Sequence, residues 1–172
     1  MVRSSSLEYK ELVDLVPGEL IRYNFSSGAS LLLLLKLQEN GRGLFGVIDS
    51  SVFEKKMCSY SMDLDGGCLS YGVNWFLEEH HGPETAVGYY QLQHAGLYLT
   101  SKGPLFRFMP EKSRFAVQHT YFNLMESTVV DGVDQRQAAP IAEWSIWETA
   151  EHYVGGGDPI FEMEPSDPAM TK

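Results

Sequence analysis

The chain has 172 residues and a formal net charge of −10, with 44% hydrophobic and 12% aromatic residues. This length favours a single domain, and the apolar content excludes a disordered chain. The excess of acidic residues argues against nucleic acid or an anionic membrane as partner, because both require a basic surface.

The N-terminal segment, residues 1–16, places Leu7, Leu12 and Leu15 among charged residues. This predicts a short helix that ends before the Pro17-Gly18 turn. The first ten residues lack the apolar core of a signal peptide, and no apolar run approaches the ~20 residues that span a bilayer. We therefore expect a cytoplasmic protein, in which Cys58 and Cys68 are reduced thiols rather than a disulfide.

Short apolar segments separated by Gly and Pro turns follow over residues 17–150. This spacing is typical of an antiparallel β-barrel or sandwich, so we predict an all-β domain there. Residues 151–172 are glycine-containing and acidic, which predicts a C-terminal tail or extension. The predicted strands are Glu19–Phe25, Leu31–Gln38, Leu44–Asp49, Met57–Leu64, Cys68–Glu78, Ala86–Gln93, Ala95–Ser101, Leu105–Met109, Phe115–Met125 and Ile141–Glu148.

The run Leu31–Leu35 does not alternate with polar residues. A strand with one face in water should alternate, so both faces of this strand are expected to be covered. One face would look into the core or a cavity. The other face would meet either a helix or a second subunit, and the sequence leaves both open.

Histidines are the first candidates for chemistry. His94 and His119 share strand parity with neighbouring aromatic residues, so either can line an apolar cavity. Two interpretations stay open: hydrogen-bonded core histidines, or metal ligands together with a carboxylate. The adjacent His80 and His81 point to opposite faces of a strand, or form an exposed loop pair, and are not expected to bind one metal. No nucleophile-elbow or phosphate-binding motif occurs, so neither a hydrolase of that type nor nucleotide binding is predicted. The chain also lacks a C-x-x-C pair and the H-x-H spacing of a cupin metal site, which weakens the metal-ligand interpretation, and no cofactor is predicted.

Aromatic side chains are concentrated in the predicted strands, among them Tyr71, Trp75 and Tyr121. They can fill the interior as an aromatic core. Alternatively, they can line a barrel that holds one small hydrophobic or aromatic ligand, with tyrosine hydroxyls orienting its polar end.

Four segments, in order, resemble bacterial phenolic acid decarboxylases. Residues 18–28 (GELIRYNFSSG) resemble the family's first strand and turn, and residues 71–75 (YGVNW), followed by Glu78 and Glu79, resemble its Y-x-V-x-W-x-E segment. Residues 110–113 (PEKS) with the later Gln118 and Leu124, and residues 140–143 (PIAE), resemble its later segments. Molybdenum cofactor biosynthesis protein F, from a related lipocalin-like family, is similar more loosely.

The resemblance implies a lipocalin-like (calycin) β-barrel, a homodimer, and a cofactor-independent lyase that decarboxylates para-hydroxycinnamic acids. It implies catalytic roles for Tyr23 and for Glu78 or Glu79, of which Glu79 shares the strand face of Trp75. A glutamate in an apolar barrel has a raised pKa and can transfer protons near neutral pH. Three features differ from the family. Phe25 stands at the second tyrosine, no arginine follows the third strand, and Leu77 occupies the glutamate position unless one or two residues are inserted.

Three functional interpretations follow. The leading one is an enzyme that acts on a small aromatic or unsaturated metabolite through Tyr/Glu acid–base chemistry, by decarboxylation, isomerisation or cyclisation. The second is a non-catalytic barrel that binds a small hydrophobic or aromatic molecule. The third is an assembly protein that associates through Leu31–Leu35. Residues expected to contact the ligand are Phe25, Tyr71, Trp75, His94, His119 and Tyr121.

Overall fold

The computed structural model describes residues 6–80, 95–111, 119–134 and 137–164. These residues form mainly β-strands, with a 3₁₀ helix at Leu12–Asp14 and one short α-helix, α1, at Ala150–Val154. The predicted all-β class is therefore confirmed. The strands are β1 Glu8–Glu11, β2 Leu20–Phe25, β3 Gly28–Leu37, β4 Arg42–Ser50, β5 Cys58–Asp63, β6 Gly67–Gly72, β7 Phe76–Glu79, β8 Gly96–Thr100, β9 Gly103–Pro110, β10 Thr120–Asn123, β11 Thr128–Val130, β12 Ala138–Ile141, β13 Trp144–Trp147 and β14 Phe161–Met163.

Eleven of these strands form one large sheet in the order β1-β6-β2-β3-β4-β5-β9-β10-β11, with β8 joining β9 to β12. The remaining strands form a three-stranded sheet, β14-β13-β7. The strand pairs are antiparallel except for β5 and β9, which run parallel. In this order β1 and β11 are the first and last strands, and over residues 6–80, 95–111, 119–134 and 137–164 they do not pair with each other. A closed barrel is therefore not detected.

The leucine strand β3 is buried on both faces, as predicted. Leu31, Leu33 and Leu35 pack into the larger apolar cluster, which we call the inner core. Leu32 and Leu34 are fully buried in a second cluster, the outer core, on the opposite face. The outer core is covered by Leu12 and Leu15 of the N-terminal segment. The covering element is therefore neither a long helix nor a second subunit.

The predicted N-terminal helix is wrong. Residues 8–11 form β1, which pairs with β6 in the register Tyr9↔Leu69, and only one 3₁₀ turn follows. Local helix propensity is a weak preference, and here the edge of β6 offers the backbone a ladder of hydrogen bonds instead. Leu12 and Leu15 are buried, but they belong to this irregular segment and do not lie on one face of an α-helix.

Of the two alternatives predicted for the C-terminal segment, the structure has a packed extension and not a tail as far as residue 164. The Thr149 side chain accepts a hydrogen bond from the His152 backbone N–H and caps α1, and β14 pairs with β13. Phe161 and Met163 are buried while Glu162 is exposed, which is the two-residue period of a strand with one buried face. A three-residue strand gives too short a pattern to be recognised in the sequence.

Some predicted strands are divided or shortened. The strand predicted over residues 68–78 is two strands, β6 and β7, separated after Gly72, whose φ of 73° interrupts an extended chain. Of the strand predicted over residues 115–125, the described part contains β10. The strand predicted at Ala86–Gln93 lies outside the described residues. No helix in the described part of the chain is long and apolar enough to cross a membrane.

Candidate functional site

A cleft of about 1200 Å³ opens beside β9 and β10 and is the main candidate binding site. It is bordered by β9, β10, β11 and the turn that joins β3 to β4. Polar and apolar side chains both contribute to its walls. The lining residues are Lys36, Leu37, Gln38, Glu39, Asn40, Leu44, Arg107, His119, Thr120, Tyr121, Val129, Val130, Asp131 and Gly132.

Arg107 is the buried charge of this cleft. It lies on β9 between Phe106 and Phe108, which both point into the inner core. Strand alternation directs Arg107 to the other face, where its cross-strand neighbour on β10 is Tyr121. Only 5% of Arg107 is exposed, although a guanidinium remains charged at every pH that a protein survives.

Three aromatic or imidazole side chains surround this guanidinium. Arg107 Nε donates a hydrogen bond to His119 Nδ1, and Arg107 Nη2 lies 3.4 Å from His119 Nε2. The Arg107 Cζ lies over the Tyr121 ring, 5.5 Å from its centroid, in cation–π geometry. Burial raises the pKa of Tyr98, and a hydrogen bond and charge interaction with Arg107 oppose this rise.

His119 is held neutral in the cleft. Burial, with the Arg107 charge as second cause, lowers the pKa of His119 to about 4. Arg107 can only donate, and both ring nitrogens of His119 lie next to it, so the neutral imidazole accepts from the guanidinium. With this pKa, His119 is a weak base at neutral pH. Its ring stacks with that of Tyr121, with centroids 6.4 Å apart.

The sequence-predicted site residues are divided among several places, and two of them meet in this cleft. His119 and Tyr121 both line it, as their shared parity predicted. Tyr23 and Phe25 instead pack against the outer core. Their rings meet edge to face, with the ring centroids 4.7 Å apart. Phe25 also contacts Phe53 and Tyr60.

Trp75 and Glu79 line a second, smaller cavity that shares no lining residue with the cleft. Tyr71 is buried in the inner core, against which Trp75 also packs. Glu78 points away from this cavity, because neighbouring residues on β7 alternate. The Glu78 carboxylate accepts a hydrogen bond from Trp147 Nε1 at 3.0 Å and lies 3.4 Å from His80 Nε2.

Two of the histidine predictions involve residues outside the described part, namely His81 and His94. His80 lies with its Nε2 3.1 Å from Ser145 Oγ. Over the described residues, no three His, Cys, Asp or Glu side chains are placed to hold a metal ion. Cys58 and Cys68 are separate buried thiols, and burial raises the pKa of each to about 11.

Comparison with known protein families, with curated proteins and with solved structures finds no match to this chain. Arg107 is the site residue that was not expected from the sequence. The register of β9 and β10 places Arg107 directly opposite Tyr121, so the two side chains lie on the same face of the sheet. That register cannot be read from either strand alone.

Proposed function

We propose that the protein binds a small aromatic or unsaturated carboxylate in the cleft beside Arg107. The observation that carries this proposal is a guanidinium that is 5% exposed yet borders a cleft large enough for a ligand. The planar guanidinium suits a carboxylate, which it can engage through two parallel hydrogen bonds.

The walls of the cleft support an aromatic or unsaturated ligand body. The Tyr121 ring lies against the guanidinium, and Leu44 and Val129 add apolar surface. His119 and Thr120 add polar side chains to the same walls. Such a combination of apolar walls and a few placed polar groups is typical of small-molecule sites.

The surrounding charges favour a monoanion over a polyanion. Exposed Glu39 and Asp131 border the cleft, and the whole chain has a net charge of −10. Both would repel a ligand with several negative charges. One carboxylate can be neutralised by Arg107, with the exposed Lys36 as a second cation at the rim.

The geometry supports binding better than turnover by the predicted catalytic residues. Tyr23 packs against the outer core, and Glu78 is hydrogen-bonded to Trp147. In the cleft, a His119 with a pKa of about 4 is poorly suited to act as a general base at neutral pH. The lipocalin-like decarboxylase remains the enzymatic alternative, supported by the resemblance in sequence.

Calorimetric titration with para-coumarate and with para-coumaryl alcohol tests the proposal, because the two differ in the carboxylate. We expect saturable binding of the acid, at least about tenfold weaker binding of the alcohol, and an Arg107→Lys variant that loses this preference. Arg22→Lys, at an exposed arginine of β2, is the matched control. Equal binding of acid and alcohol would contradict the proposal.

Ultraviolet spectra recorded on the same mixtures separate binding from catalysis. A ligand that keeps its spectrum through prolonged incubation supports a binding protein. Conversion of the acid to the vinyl phenol would instead support the decarboxylase. Circular dichroism of the Arg107→Lys variant verifies that a loss of binding is not a loss of folding.

A further inference from the structure

The strand β1 begins the large sheet, and only one of its two edges is paired. Within the described part of the chain β1 pairs with β6 alone, in a register that runs from Glu8↔Ser70 to Glu11↔Gly67. An unpaired edge presents a row of backbone N–H and C=O groups, and another strand can add to it. The second edge of β1 is therefore a candidate interaction surface.

The backbone groups that point toward this second edge include those of Tyr9. The Leu12 N–H donates to the Gly66 carbonyl at 2.9 Å, which continues the β1–β6 register by one residue. In an antiparallel pair, every second residue bonds to the same neighbouring strand, so Lys10 and Glu8 also bond to β6. The N–H and C=O groups of Tyr9, which lies between them, point away from β6.

Apolar side chains are exposed beside the same edge. Tyr9 is 67% exposed, and Leu69, its cross-strand neighbour on β6, is 40% exposed. The Tyr9 ring lies over Gly67, and its hydroxyl donates a hydrogen bond to the Glu11 carboxylate at 2.8 Å. An added strand would cover part of this apolar surface, and aromatic cross-strand pairs stabilise a sheet.

The charges of β1 favour one register for pairing with a second copy of the same strand. Hydrogen bonding requires outward-facing groups to meet outward-facing groups, so the two-fold axis passes through a residue and not between two residues. With the axis at Tyr9, Glu8 of each copy lies directly opposite the partner's Lys10. An axis at Glu8, at Lys10 or at Glu11 would instead place like charges opposite each other, which is destabilising.

Lys10 can accept this second carboxylate without giving up its own contacts. Its Nζ lies 2.6 Å from the buried Glu19 and 3.5 Å from Glu8 of its own strand, and 30% of its side chain is exposed. An ammonium group has three donors. The side chain of Glu8 is 63% exposed, so it is accessible to the partner's Lys10. Pairing would thus create a row in which carboxylates and ammonium groups alternate.

We propose that the free edge of β1 binds a second copy of the chain, in an antiparallel β1–β1 pair with its two-fold axis at Tyr9. The Tyr9 N–H of each copy donates to the partner's Tyr9 carbonyl. Such a symmetric interface closes at two copies. Strands of four residues bury less than the ~1,200 Å² of a standard interface, so the dimer is weak, with a Kd of about 10 μM to 1 mM. The proposal does not depend on the Arg107 cleft.

Sedimentation equilibrium of the full chain at physiological salt tests the association. We expect the monomer mass at about 2 μM and a mass that approaches twice this value at about 2 mM. A monomer at every concentration would overturn the proposal. Species larger than a dimer would also overturn it, because the β1–β1 pair leaves no further β1 edge to extend.

Tyr9→Pro tests the role of the backbone. It removes an N–H that points away from β6 and keeps the β1–β6 hydrogen bonds, and proline is tolerated at such positions of an edge strand. We expect the Kd of the dimer to rise at least about tenfold. Tyr9→Thr, which keeps the N–H and favours a strand, is the matched control and should dimerise more strongly than Tyr9→Pro. Equal dimerisation of the two variants would overturn the proposal.

Glu8→Lys tests the register and decides if Tyr9→Pro does not fold. It places a lysine opposite the partner's Lys10, so it should weaken the dimer at least about tenfold. Glu126→Lys, at an exposed position in the β10–β11 turn, changes the net charge equally and should not weaken it. Both variants lower the general repulsion between two chains of net charge −10, so a weaker dimer in Glu8→Lys alone identifies the β1 edge. Equal effects of the two substitutions would overturn the proposal.

Oxidative cross-linking of Tyr9→Cys locates the axis. Residues opposite each other at a hydrogen-bonded position have Cα atoms ~5.5 Å apart, which is within the range of a disulfide. The control is Glu11→Cys, whose two copies would be roughly 14 Å apart. Cys58 and Cys68 are only 3% and 5% exposed, so they compete little. A covalent dimer that forms as readily with Glu11→Cys as with Tyr9→Cys would contradict the proposed register.

Discussion

Lys10 Nζ lies 2.6 Å from Glu19 Oε1, and this ion pair joins β1 to the residue that precedes β2. Glu19 is 1% exposed and also accepts hydrogen bonds from the Val16 backbone N–H and the Ser70 hydroxyl. Three donors thus satisfy a buried carboxylate, as burial of a charge requires. Together they fix the N-terminal segment that covers the outer core.

Replacing Lys10 should destabilise the fold. Lys10→Met leaves a buried carboxylate without its charged partner, although two neutral donors remain. Breaking a buried ion pair costs ~3–5 kcal/mol, whereas an exposed ion pair contributes ~1 kcal/mol or less. The Lys10–Glu19 pair lies between these cases, because 30% of the Lys10 side chain is exposed. We expect a loss of about 2 kcal/mol in the free energy of unfolding, measured in urea. Lys102→Met, in the exposed β8–β9 turn, should change it little.

The same carboxylate predicts a dependence of stability on acid pH. Burial raises the pKa of Glu19, but hydrogen bonds from Lys10, Val16 and Ser70 outweigh it and hold the pKa below its ordinary value. A lowered carboxyl pKa stabilises the fold above the unfolded pKa of ~4.3, and this contribution is lost as the pH falls further.

Comparison with Glu19→Gln isolates this contribution, because the other carboxyl groups are common to both chains. The difference in unfolding free energy between wild type and Glu19→Gln should stay constant from pH 7 to 5 and shrink toward pH 3. A difference that is the same at pH 7 and pH 3 would show that Glu19 does not titrate with folding.

The strands were predictable from sequence where the apolar pattern is long. The unbroken run Leu31–Leu35 correctly indicated a strand buried on both faces. What covers its second face was not predictable, since Leu12 and Leu15 are distant in sequence and act through a single 3₁₀ turn. Residues 8–11 fit a helical pattern as well as a strand, and only the free edge of β6 decides between them.

The candidate site was less predictable than the fold. Parity correctly placed His119 with Tyr121, and Trp75 with Glu79. The alternation of side chains within one strand does not say which strands share a core. It therefore could not show that Tyr23 packs against the outer core and Trp75 against the inner core. Arg107 looks in sequence like an outward-facing charge, and its burial results from long-range pairing.

Gly46 provides a test of packing in the inner core. The Phe108 ring lies so close to Gly46 that a Cβ there would overlap its edge, and Phe108 is fully buried. A closely packed ring has little room to move, so Gly46→Ala should lower the free energy of unfolding by ~1–3 kcal/mol. In a Phe108→Leu background the same substitution should cost clearly less. Equal costs in both backgrounds would mean that the ring is not the obstacle.

His119 predicts a second pH dependence, in a range that is distinct from that of Glu19. Its pKa of about 4 in the folded chain, caused by burial and then by Arg107, lies below the 6.5 of an ordinary histidine. Between these two values the unfolded chain binds a proton that the folded chain does not. Stability from this residue is therefore complete above pH 6.5 and falls as the pH drops toward 4.

Replacement by glutamine removes this titration and keeps a polar side chain of similar size. The unfolding free energy of the wild type, minus that of His119→Gln, should be constant at pH 7–8 and decrease steadily between pH 6.5 and 4.5. In proton NMR, the imidazole resonance that is absent from His119→Gln should titrate in the folded wild type with a midpoint near pH 4. A midpoint near 6.5 would mean that His119 is solvated and distant from the Arg107 charge.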